Sequence, residues 1–156
     1  MNKEHHYQLQ VNWTGNKGTG TSSYTEYERS HTISSKNKVD ILCSSDTAFR
    51  GDATKYNPEE FLLASISTCH MLWFLHLCAD AGICVIDYID NPIGIMIEDE
   101  NGGHFKSVTL HPIVTVNNNI DTEKVNTIHH TAHQKCFIAN SVNFKIEVKS
   151  KVIIAA

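Results

Sequence analysis

The sequence predicts an α+β fold in which antiparallel sheets surround one long buried helix. Three observations carry that expectation. Short alternating or β-branched segments occupy both ends of the chain, residues 61–81 (FLLASISTCHMLWFLHLCADA) are apolar almost all the way round, and a shorter polar helix begins at Asp121 or Thr122. A chain of 156 residues has the length of one domain, 1–156, because two halves would each be too short to bury a convincing core. Its 41% hydrophobic and 19% charged residues exclude a disordered polyelectrolyte, a collagen-like repeat and a polytopic membrane protein.

Taken in order, Tyr7, Leu9, Val11 and Trp13 alternate with polar residues, the period of a strand with one buried face. Gly15-Asn16-Lys17-Gly18-Thr19-Gly20 is followed by no apolar helix, so it reads as a hairpin or surface loop rather than a phosphate loop. Residues 24–33 and 38–43 read as two further strands joined at Ser34–Asn37, which makes the first third a meander. Asn57-Pro58-Glu59-Glu60 starts a helix, with a capping Asn, a Pro at the first helical position and carboxylates at the positive end of the dipole. That helix ends at Gly82. Strands follow at 85–90, 93–98 and 104–116, then a helix to about Lys135 and a closing strand at 142–154.

The long helix invites a membrane reading. Ser65, Ser67, Thr68, His70 and His76 interrupt it, however, and leave apolar runs well short of the ~20 residues a span requires. It is expected to be a core helix, with no membrane partner. At roughly 35 Å it is also long for this chain to enclose alone, which predicts a partner subunit. The net charge is -4 and the only arginines are Arg29 and Arg50, so no nucleic-acid partner is expected. The N-terminus shows no cationic-plus-apolar leader and the cysteine count, five, is odd; both predict a cytoplasmic protein without a disulfide scaffold.

Two of the five cysteines stand apart. Cys69 sits among Ser65, Ser67 and Thr68, the one stretch of the long helix rich in small hydroxyls, and Cys136 ends the second helix, where the backbone leaves its helical path. Cys78 falls on the face opposite Cys69 and reads as a buried hydrophobe, as do Cys43 and Cys84 at strand ends. A peroxide-reducing thiol needs a thiolate, a cation to hold it, and a way to recycle its sulfenic acid. Arg50 lies in the loop before the helix, and Glu59 is ten residues before Cys69, close enough in sequence for local folding to bring carboxylate and thiol together. On residues alone, Glu59 reads equally as a helix-dipole carboxylate and Arg50 as a solvated loop charge. A metal site competes: His129, His133 and Cys136 fall at i, i+4 and i+7, and Cys69 with His76 is a second seven-residue pair, although no CxxC or HExxH is present.

Tyr56-Asn57-Pro58-Glu59-Glu60 running on to Cys69 resembles the NPEEL(x)nAC signature of the OsmC / organic hydroperoxide resistance family. Ala132-His133-Gln134-Lys135-Cys136 resembles that family's second-cysteine motif, and the two cysteines stand 67 residues apart. The resemblance spans nearly the whole chain and implies an intertwined homodimer with active sites at the subunit interface. It implies a thiol peroxidase for organic hydroperoxides, with Cys69 as peroxidatic thiolate, Cys136 as resolving thiol and Glu59 as the carboxylate that orients an arginine. Arg50, before the NPEE motif, is the favoured arginine, and Arg29, in the first hairpin, is the alternative. Arg29, His70, Trp73 and Phe137 are expected on the substrate side; His70 and Phe137 replace residue types usual in the family. The implied cycle runs through a Cys69–Cys136 disulfide that an external dithiol reduces, with no cofactor. A non-enzymatic ligand-binding protein on the same fold is the third reading.

Overall fold

The computed structural model describes residues 3–117 and 121–155, in two compact units, Met1–Phe61 and Leu62–Ala156. In the first unit β1 (Gln10–Trp13), β2 (His31–Ser34) and β3 (Ile41–Cys43) form an antiparallel sheet in that order. The register pairs Val11 with Ile33 and Ile33 with Ile41. The second strand is much shorter than the sequence predicts. Residues before it are committed to a turn: the Asn16 side chain accepts from the backbone N–H of Gly18 and Gly20, and Trp13 Nε1 donates to Glu28 O at 2.8 Å.

The long helix α1 (Pro58–Asp80) starts where the sequence says. Asn57 and Glu60 form a capping box: Glu60 N donates to Asn57 Oδ1 at 2.8 Å, and Asn57 N donates to Glu60 Oε2 at 3.1 Å. It ends in a Schellman motif at Gly82, whose φ of 69° suits a residue without Cβ; Ile83 N returns to Cys78 O at 2.8 Å and Gly82 N to Ala79 O at 3.1 Å.

The second unit holds β4 (Val85–Ile89), β5 (Ile93–Asp99), β6 (Gly102–Leu110), β7 (Ile113–Val116), α2 (Thr122–Lys135), β8 (Lys145–Val148) and β9 (Lys151–Ile154). They form two three-stranded sheets, β4-β7-β9 and β5-β6-β8. Both are mixed rather than purely antiparallel, since β6 pairs β8 and β7 pairs β9 in parallel. Parallel neighbours need a long crossover, and α2 lies within both connections. The strands expected at 104–116 and 142–154 are each broken in two. Pro112 has no N–H to give a ladder, and the two breaks lie side by side, with Lys149 N on Leu110 O at 2.9 Å and Lys151 N on Pro112 O at 2.8 Å. Each chain segment therefore passes from one sheet to the other at the same level.

One stripe of α1 enters the core: Ile66, Ser67, His70, Phe74 and Cys78, spaced by about one turn. Phe74 and Cys78 pack with Val114, Val116, Val125, Ile128 and Ala132, while Ile66 packs with Val108 and Leu110. The helix is long and apolar enough to cross a membrane by length and composition alone, and this stripe of it packs in the core. Trp73, Leu75 and Leu77 are partly buried against the same core, whereas Leu72 is 62% exposed. Cys43 and Cys78 are buried as expected, whereas Cys84 is exposed, because it lies in the connection between α1 and β4 rather than inside a strand.

Candidate active site

Cys69 is half-buried on α1, and Cys136 is the C-cap residue of α2 and fully buried. The structure brings the two thiols near enough for Cys69 to act on Cys136. Burial, and then the neighbouring Cys69 sulfur, push the Cys136 thiol up to about 11. Cys136 is thus a protonated thiol at neutral pH. Its sulfur also accepts from Ala139 N at 3.4 Å, and its backbone is tied by Cys136 N to His133 O and Asn140 N to Cys136 O. The joint that the sequence reads as a change of path is a tightly bonded turn. The hydroxyls near Cys69 are turned to their own helix or to a strand end: Ser65 Oγ donates to Leu62 O, Thr68 Oγ1 to Ala64 O, and Ser67 Oγ to Asp90 Oδ2 at 2.5 Å.

The charged candidates lie in the first unit. Asp46 organises the loop that presents Arg50, accepting from Ala48 N through Oδ1 at 2.7 Å and from Gly51 N through its carbonyl at 2.9 Å. Arg50 itself is exposed and holds a left-handed φ of 65°, uncommon outside glycine. Arg29 is the opposite case. Its Nη1 donates to Tyr27 O at 2.7 Å and its Nη2 to Tyr24 O at 2.8 Å, with the guanidinium 4.2 Å from the ring centres of both tyrosines. Glu59 carries a buried Oε2 with no hydrogen-bond partner. It does not meet Cys69 by local folding, because α1 is unbroken between them and ten helical residues rise about 15 Å.

Beside the thiols, Leu72, Trp73, His76 and Phe137 line a shallow apolar cavity of about 270 Å³. Trp73 and Phe137 meet edge to face at 5.7 Å, and Lys135 Nζ lies 5.5 Å from the Trp73 ring centre. The placement expected for His70 on the substrate side is not what the structure gives. His70 is 1% exposed and its Nε2 shares a 3.0 Å hydrogen bond with Nδ1 of His129, which stacks on Phe74 at 3.9 Å.

Residues 51–151 match the family of OsmC-like proteins. The chain belongs to the OsmC-like family. Among solved structures, an OsmC-like protein of unknown function from Vibrio cholerae is 29% identical, with a TM-score of 0.84 over 96% of this chain and 100% of that one. An organic hydroperoxide resistance protein from Elizabethkingia anophelis, with thiocyanate bound, is 20% identical, with a TM-score of 0.68 over 98% of this chain and 100% of that one. A second Vibrio cholerae protein, a putative organic hydroperoxide resistance protein with captopril in one of its active sites, is 18% identical, with a TM-score of 0.64 over 97% of this chain and 95% of that one. The latter two share the OsmC-like fold. No match was found among curated proteins.

Sequence reasoning offers His129 and His133 of this OsmC-like chain as metal-ligand candidates and misses the imidazole pair that His129 forms with His70. His130 is exposed and His133 half-buried, but His129 is 2% exposed. The signal was available in spacing: His70 continues the stripe Ile66, Phe74, Cys78, and His129 sits between the buried positions Val125, Ile128 and Ala132. Burial holds both rings neutral, lowering His70 to about 4 and His129 to about 3. Among the described residues no group of three or more His, Cys, Asp and Glu is arranged to hold a metal ion.

Proposed function

We propose that this OsmC-like protein is a thiol peroxidase that reduces organic hydroperoxides and works as a homodimer. The observation that carries the reading is the contact between two unlike thiols, a half-exposed Cys69 and a buried Cys136 held protonated. A peroxide reaches the first, and the second waits protected for the product.

The Cys69 thiolate attacks the distal peroxide oxygen, the O–O bond breaks, and the alkoxide leaves as alcohol after taking a proton. The resulting Cys69 sulfenic acid is attacked by the Cys136 sulfur; a Cys69–Cys136 disulfide forms, and the hydroxyl leaves with the Cys136 proton as water. An external dithiol returns both thiols. The apolar cavity at Trp73 and Phe137 supports a hydrocarbon-bearing substrate, since each buried methylene contributes about 0.8 kcal/mol.

The cation is assigned to Arg50, because Arg29 is engaged by two carbonyls and two tyrosine rings. The unpartnered Glu59 oxygen is a natural seat for that guanidinium, in a carboxylate–arginine pair of the bidentate kind. The rise along α1 keeps Glu59 from the sulfur of its own chain, so in this reading the pair serving each Cys69 comes from the second subunit. Leu72, an apolar residue of α1 left 62% exposed, supports such a partner.

The test is stoichiometric. One equivalent of cumene hydroperoxide is expected to consume two thiols per chain, with peptide mapping joining Cys69 to Cys136; intact thiols, or a different cysteine pair, overturn the mechanism. Sedimentation equilibrium tests the dimer separately, and a monomer at micromolar concentration removes it.

A further inference from the structure

A second cavity, of about 540 Å³, opens between α2 and the corner where β8 gives way to β9. We propose that it binds a small organic carboxylate, held by His129, Asn126 and Lys149 with its hydrocarbon part against Ile146 and Val148. Four features point to that ligand. The residues lining the cavity include a lysine and three histidines but no acid; the neighbouring carboxylate, Glu147, is turned to Lys145 and lies 3.7 Å from Lys149 Nζ. His129, 2% exposed, spends Nδ1 on His70 and leaves Nε2 buried with no partner. Leaving a buried imidazole nitrogen unpaired is unfavourable, and an occupant accepting from it removes that cost. Ser150 Oγ donates to Asn126 Oδ1 at 3.2 Å, so the Asn126 amide hydrogens remain as donors. Finally, Ile146 and Val148 give one wall an apolar surface that a bare inorganic ion does not use.

A metal ion fits less well. His129 and His133 have the i, i+4 spacing of a two-histidine clip, but among the described residues no third ligand converges and no acid lines the cavity.

Occupancy has a consequence inside the core. The His70–His129 bond carries one proton, so one inner nitrogen donates and the other accepts. A carboxylate on His129 Nε2 fixes a hydrogen there and makes His129 Nδ1 the acceptor. His70 must then donate through Nε2, leaving its Nδ1 bare. The ligand outside α2 thereby sets the tautomer of the residue next to Cys69.

Titration of 15N-histidine-labelled protein with sodium benzoate, with inorganic phosphate and zinc as separate arms, tests this. Benzoate is expected to saturate in the millimolar range, to shift His129 and His133, and to leave both His129 and His70 protonated at Nε2. Lys149→Ala and Asn126→Leu, both at the surface, are each expected to weaken binding about tenfold. The proposal is overturned by no saturable benzoate shift, by affinity unchanged in both variants, by phosphate binding as tightly as benzoate, or by zinc alone moving these rings.

Discussion

Cys69 and His70 are consecutive on α1, and each meets a residue from the α2 segment, Cys136 and His129, which are seven positions or about two turns apart. Their environments diverge because one residue of helix turns the side chain by 100°. That turn leaves Cys69 at the edge of the core, where a substrate arrives, and sends His70 into it, where only His129 answers. The lesson is that polarity on an apolar helix serves two purposes a residue apart. The thiol pair is chemistry with access, and the imidazole pair is a sealed hydrogen bond joining two helices.

Variants break that comparison in order of effect. Cys69→Ser is expected to abolish hydroperoxide consumption, a loss of at least about a thousandfold in kcat/KM, with the fold intact by circular dichroism. Cys136→Ser should instead allow one turnover and leave a sulfenic acid that dimedone traps, visible by mass spectrometry. On the imidazole side, His129→Ala removes a stacked ring and strands His70 Nε2, and urea unfolding should report a loss of about 3 kcal/mol. Peroxide turnover at a temperature where that variant is folded should fall far less than in Cys69→Ser. Equal losses of activity in the two would erase the distinction between the pairs.

Arg50→Ala is expected to lower kcat/KM for cumene hydroperoxide about a hundredfold, and Arg29→Ala by no more than about threefold. A reversed order transfers the thiolate-holding role to the first hairpin. A separate effect, on stability rather than on turnover, is in pH. His70 and His129 bind protons more weakly folded than unfolded, so the unfolded chain takes them up first as pH falls. Stability is therefore complete above about pH 6.5 and declines toward about pH 4, by roughly 1.4 kcal/mol per pH unit for each ring that titrates only in the unfolded chain. His70→Phe combined with His129→Leu should flatten that slope in urea midpoints measured from pH 7 to 4.5, and an unchanged slope assigns the acid sensitivity elsewhere.

Much of the fold was legible. The Asn57-Pro58 start and the Gly82 stop of α1 are local chemistry, a capping box and a left-handed C-terminal residue, and they need no tertiary context. The splitting of the last strands was only half legible: Pro112 announces its own break, but the break at Lys149–Ser150 exists because that segment runs beside β6 and β7. The two cysteines were singled out by their setting in sequence, while their contact needed the two helices to be packed. The burial of His129 follows from the spacing of Val125, Ile128 and Ala132 around it, which the polar composition of that helix hides.

The chain by itself determined its family, the limits of α1, and which two thiols stand apart, because caps, periodicity and motif spacing act over a few residues. Tertiary structure alone decided that Cys136 is buried beside Cys69 with a raised thiol, that Arg29 is occupied by its own turn, and that His70 faces a second imidazole. Those outcomes depend on desolvation and on hydrogen bonds between groups up to 59 residues apart in sequence, which no local pattern encodes.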